Sequence, residues 1–116
     1  MERILAELNK TLGIIGSFVV ASDGIIVASD YATEINDEMM GALTSSIINS
    51  TEKATKKMEQ GDLVSFIIET DAYKLFFNST RSGYLVCVSK ADSNLGLIRV
   101  EMRSASEKLN NLGMSS

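Results

Sequence analysis

Apolar residues recur along this chain with two different periods, and the changes from one period to the other divide it into helices and strands. From Met1 to about Leu12, the residues Ile4, Leu5, Leu8 and Leu12 share one helical face, and Gly13 follows where a helix stop is expected. The β-branched run from Ile14 to Ala21 predicts a strand, and Ile25 to Ser29 its return strand. Between them lies Ser22-Asp23-Gly24, and Asp-Gly between apolar runs is a hairpin signal. After a loop at 30–34, a helical pattern runs from about Glu34 to Gln60 and meets its stop at Gly61. Met39, Met40, Leu43, Ile47, Ala54 and Met58 gather on one arc of that helix. Leu63 to Glu69, Tyr73 to Phe77 and Tyr84 to Ser89 read as three further strands, turned at Asp71-Ala72 and at Arg81-Ser82-Gly83. Asp92-Ser93-Asn94 offers caps for a final helix from about Leu95 to Leu109, with Ile98, Met102, Ala105 and Leu109 on one face.

The order is therefore α-β-β-α-β-β-β-α, an α/β (α+β) arrangement. Its short connections predict a five-stranded, largely antiparallel sheet. The strands are apolar on both sides: in the third, Leu63 and Ile67 face one way and Val64, Phe66 and Ile68 the other. Both faces of the sheet then need cover. The long middle helix is expected on one face and the two terminal helices on the other. Residues 1–116 form one domain on this reading, without repeats, low-complexity segments or proline.

Charge and composition exclude several classes. The formal net charge of −4 opposes broad attraction to nucleic-acid phosphates. The one basic cluster, Lys53, Lys56 and Lys57, is flanked by Glu52 and Glu59 and reads as a solvated helix face. No run approaches the ~18 apolar residues of a membrane span, and the N-terminus has no apolar signal core. A cytoplasmic protein without membrane insertion is expected, which removes any meaning from the three Asn-x-Thr matches.

Candidate chemistry is sparse. Cys87 is the only cysteine and lies in the apolar run Tyr84 to Val88, so it reads as a small buried hydrophobe. With no histidine, neither a nucleophilic thiol with its usual base nor a zinc site of N/S ligands can form within one chain. Gly13 and Gly16 precede a strand and belong to no phosphate loop. Asp23 reads as a turn former, Glu69 and Asp71 as solvated charges, and Ser45 and Ser46 have no activating base. No catalytic residue, metal or cofactor is expected.

The middle helix carries the surplus information. About 27 residues would span ~40 Å, more than a small sheet covers. Its apolar arc, centred on Leu43, Ile47 and Ala54, is wider than a sheet-capping helix needs. Met40, Thr44, Ile48, Thr51 and Thr55 extend it on one flank, and Ile35, Ala42 and Ser46 on the other. Either the core face is broad, or a second chain packs here. Small residues such as Ala42, Ser45 and Ser46 would let another helix approach. The flank Met40, Thr44, Ile48, Thr51 and Thr55 is the expected dimer interface, with Ile48 reached only by the second chain.

Two segments bear a family likeness. Gly13-Ile14-Ile15-Gly16-Ser17-Phe18-Val19-Val20, continued by Asp23-Gly24-Ile25-Ile26-Val27-Ala28-Ser29, is the first; Asn94-Leu95-Gly96-Leu97-Ile98-Arg99-Val100-Glu101-Met102 is the second. Together with the element order they resemble the Roadblock/dynein-light-chain domain. The resemblance implies a profilin-like sandwich. It implies a homodimer, or a heterodimer with a related Roadblock chain, built by side-by-side middle helices and edge strands. It also implies partnership with a small Ras-like GTPase as regulator or scaffold, with no catalytic residue of its own, so Arg81, Arg99 and Arg103 are not nominated as arginine fingers. An adaptor that tethers a motor or signalling complex without affecting nucleotide turnover is the alternative; a small-molecule sensor is a third reading that the fold leaves open.

Overall fold

The computed structural model describes residues 1–32, 34–59 and 61–112. Eight elements follow in order: α1 (Glu2–Leu8), β1 (Ile14–Val20), β2 (Ile26–Tyr31), α2 (Asp37–Lys57), β3 (Ser65–Glu69), β4 (Tyr73–Thr80), β5 (Gly83–Lys90) and α3 (Leu95–Asn110). The strands form one sheet in the order β2-β1-β5-β4-β3, with every neighbouring pair antiparallel. The first and last strands of the chain are thus central, and β2 and β3 are the edges.

Helix α1 is shorter than its periodicity suggests, and Leu12 is 87% exposed instead of extending the buried face. Asn9 accounts for the early stop. Its Nδ2 donates to the Asp30 carbonyl at 2.7 Å and to the Asp30 carboxylate at 3.1 Å, and its Oδ1 accepts from the Ser17 hydroxyl at 2.8 Å. Those bonds tie the helix end to β1 and β2, and the chain turns into the sheet before Leu12 can reach the core. Helix α2 starts at Asp37, later than the apolar pattern, because the Asn36 side chain accepts from the Met39 N–H at 3.0 Å and caps it. The sequence pattern carried this helix to Gln60, which lies outside the described residues.

The sheet separates two cores. On one face Val19, Phe76, Leu85 and Cys87 pack with Leu5 and Leu8 of α1 and with Ile98, Met102, Ala105 and Leu109 of α3. On the other, Phe18, Val20, Phe77, Tyr84 and Val86 pack with Ile48 of α2. The alternation along each central strand produces this division: Phe18 and Val20 point one way, Ser17 and Val19 the other. Phe66 and Phe77 stack across β3 and β4 with ring centroids 4.3 Å apart. Polar groups under α3 are satisfied within the chain. Buried Lys74 donates from Nζ to the Ala91 carbonyl at 2.6 Å and the Ser93 carbonyl at 3.1 Å, holding the connection into α3, and Asn78 donates to the Ser106 hydroxyl at 3.0 Å.

Candidate functional site

The long helix is where structure and periodicity part. Its buried residues are Gly41, Thr44 and Ile48, with Thr51 and Thr55 half-buried along the same 3–4–3–4 spacing. The inward stripe is small and partly polar. Three threonines on it satisfy their own hydroxyls by donating back along the helix: Thr44 to Met40 O at 2.7 Å, Thr51 to Ile47 O at 2.8 Å and Thr55 to Thr51 O at 3.0 Å. The more hydrophobic stripe is turned away from the sheet. Met39 and Leu43 are each 54% exposed and Met58 64%, and Ala54 is exposed, while half-buried Met40 and Ile47 at the border of the stripe still pack against the α2-side core.

This corrects the expected orientation. Thr44 and Ile48, placed on the outer flank from the sequence, are 2% and 5% exposed in the single chain, and Ile48 belongs to its core. Leu43 and Ala54, expected at the centre of the sheet-facing arc, lie outside it. Gly41 gives the reason. The helix rests on the β1–β2 turn so closely that a Cβ on Gly41 would run into the Gly24 carbonyl oxygen. Only a residue without a side chain fits there, so Gly41 must face inward, and Thr44 and Ile48 follow it on the 3.6-residue period. A hydrophobicity count gives Gly41 no weight, although it is the residue that sets the rotation.

The outward stripe does not end at the helix. On the same face of the sheet Leu63, Phe66, Ile68 and Leu75 remain only partly buried beside the α2-side core. Three of these four lie on or just before β3, an edge strand whose outer backbone groups have no strand partner within the sheet. An exposed apolar helix stripe, partly covered sheet residues and an open edge thus occur together.

The groups with possible chemistry are held locally, except the buried Tyr31 hydroxyl, which has no hydrogen-bond partner among the described residues. Burial pushes the Cys87 thiol from its ordinary 9.0 up to about 12, which leaves no appreciable thiolate near neutral pH. Tyr84 is also pushed up to about 12, first by burial and then by Glu52, whose carboxylate accepts its hydroxyl proton at 3.2 Å. Tyr31 is raised by burial and by the Asp37 carboxylate. Asp23 accepts from the Ile25 N–H at 3.1 Å and forms the hairpin turn. Among the described residues no cluster of three His, Cys, Asp or Glu side chains is placed to hold a metal ion. No described helix is long and apolar enough to cross a membrane.

A five-stranded antiparallel sheet with one long helix on one face and two shorter ones on the other is an α+β sandwich, and solved structures share it almost end to end. A Roadblock/LC7 domain from Streptomyces avermitilis superimposes with a TM-score of 0.88 at 15% identity, covering 99% of this chain and 98% of that one. Myxococcus xanthus MglB gives 0.91 at 20% identity over 99% and 95%. The gliding protein MglB of Thermus thermophilus gives 0.86 at 16% over 98% and 88%. At such identities the likeness is one of fold. The family rests on sequence: the Roadblock/LC7 domain model matches residues 1–90, from α1 through β5, and this chain belongs to that family. Two uncharacterized proteins of Methanocaldococcus jannaschii, MJ1340 and MJ0310, are 38% and 37% identical to it over 109 residues, covering 94% of this chain and 96% of theirs. Helix α3 lies beyond the matched span.

Proposed function

We propose that this protein is a non-catalytic homodimer that binds a small Ras-like GTPase as regulator or scaffold. The observation that carries the dimer is the inversion of α2: the helix keeps its threonine stripe for its own sheet and presents Met39, Leu43, Ala54 and Met58 outward. Exposed apolar surface of this kind beside an open strand edge is what a second copy covers. In a two-fold arrangement the α2 helices lie side by side and the β3 edges pair, and each copy offers the same patch to the other. The interface centres on Met39 and Leu43, with half-buried Met40 and Ile47 towards its margin. A specific contact of this type buries at least ~1,000 Å² in total.

The partner class comes from the family resemblance, and the fold shared with MglB is consistent with it. The net charge of −4 suits a protein partner better than nucleic acid. The absence of histidine and the buried, protonated thiol support a role without chemistry of its own, and the cytoplasm is the compartment of this reading. State preference follows if the contact falls on GTPase switch loops, which order around the γ-phosphate.

Two measurements test this reading. Light scattering at micromolar concentration should give twice the chain mass; a clean monomer removes the dimer. Calorimetry with a Ras-like GTPase from the same cells, loaded with GDP or a non-hydrolysable GTP analogue, should show a preference of at least tenfold, which needs only ~1.4 kcal/mol of differential binding. Equal affinity for both states would leave the adaptor reading, and no binding to any cellular GTPase would remove this one.

A further inference from the structure

We propose that the open groove between the edge strand β3 and helix α3 binds a linear peptide segment of a partner protein, one in which carboxylates flank an apolar anchor. This groove is on the opposite face of the sheet from α2 and needs no GTPase, although its β3 wall is also the edge that pairs in the proposed dimer.

The groove arises from how α3 sits. Its buried face, Ile98 to Leu109, packs on the Phe76, Leu85 and Cys87 side of the sheet, over β4, and leaves β3 beside it uncovered. The result is a cleft of about 700 Å³. Its floor includes half-buried Ile67 and buried Met102, while Val64 and Val100 stand 72% and 63% exposed along it. Two large apolar side chains so open to solvent on either side of one cleft ask for an apolar group between them.

The charge is specific to this place. Arg99 and Arg103 line the groove one helical turn apart, both exposed, and neither has an ion pair among the described residues. In a chain of net charge −4 they form a local cationic rim, tempered only by Glu107 at the same helix. A guanidinium presents a planar fork that matches a carboxylate, so the rim selects acidic side chains. Two arginines against apolar walls are too few for a phosphate backbone, whose binding needs a longer basic track. A cleft open along its side accommodates a chain that continues past both ends, which favours a peptide segment over an enclosed small ligand.

The full chain should be panned against a random peptide library, and the enriched peptides resynthesised with a fluorophore for anisotropy titration. The expected peptides carry Asp or Glu beside an apolar residue, bind more weakly as salt rises, and shift the methyl resonances of Ile67, Val64 and Val100. Arg99→Glu with Arg103→Glu should weaken them at least about tenfold, while Arg99→Lys with Arg103→Lys, which keeps the charge but not the planar fork, should weaken them less. Both arginines are exposed, so circular dichroism should report an unchanged fold. Lys53→Glu, a charge reversal on the exposed side of α2 across the sheet, should leave peptide binding intact. Enrichment of neutral or basic peptides, no enrichment at all, indifference to the charge reversal, or shifts centred on Leu43 and Ile47 would each overturn the assignment.

Discussion

Replacing Ile48 and Leu43 by alanine, one at a time, tests the rotation of α2 on which the dimer proposal depends. Ile48 is 5% exposed and packs in the cluster of Phe18, Val20, Phe77, Tyr84 and Val86. Truncating such a residue removes its transfer free energy and leaves a cavity, a loss of about 3 kcal/mol within the usual ~2–5. For 116 residues at ~2.1 cal/mol/K each, the unfolding entropy is ~0.24 kcal/mol/K, so the midpoint should fall by about 12 °C. Leu43 is 54% exposed, so the single chain gains only about half of the ~1.5–3 kcal/mol of a fully buried leucine. Leu43→Ala should therefore cost about 1 kcal/mol, or ~4 °C, when measured at high dilution. At higher protein concentration its cost should grow, because a dimer adds stability by mass action. Urea titrations followed by circular dichroism across a range of concentrations separate the two residues. If Leu43→Ala costs as much as Ile48→Ala in the most dilute samples, the helix is turned as its hydrophobic periodicity alone suggests, and the outward stripe does not exist.

Three further outcomes follow from the same geometry. Leu43→Glu places two charges in the two-fold interface and forfeits the apolar contact of both copies, so dimer dissociation measured by sedimentation should become at least ~100-fold easier while the fold survives. Gly41→Ala, which would stabilise an ordinary helix interior by ~1 kcal/mol, should here lower the urea midpoint, because the new methyl meets the Gly24 carbonyl; a raised midpoint would deny that close approach. Stability should be unaffected by the Cys87 thiol below pH ~8.5 and decline above it: the folded thiol keeps its proton to about 12 while the unfolded one ionises near 9, so the unfolded state is favoured as pH rises between them, by up to ~1.4 kcal/mol per pH unit. Tyr84 adds to the decline above about pH 10, and thermal melts from pH 7 to 11 that show no decline would contradict both assignments.

What the sequence determined by itself is the set of elements, their order and the family. Those signals are local: the Asp23-Gly24 turn, the cap at Asn94, and the apolar face of α3 at Ile98, Met102, Ala105 and Leu109 each lie within a few residues of the structure they specify. The antiparallel sheet follows from short connections, again a local property. The end of α1 and the rotation of α2 were decided elsewhere in the chain. Asn9 stops its helix through bonds to Ser17 and Asp30, and Gly41 turns α2 through contact with Gly24, seventeen positions earlier. Neither partner can be read from helical periodicity, which weighs side chains by hydrophobicity and is blind to a position where the lack of a side chain matters. The interaction stripe was therefore visible as a surplus of apolar residues, but the choice between Thr44 and Ile48 inward and Leu43 outward needed the close approach of two backbones, a fact of tertiary structure alone.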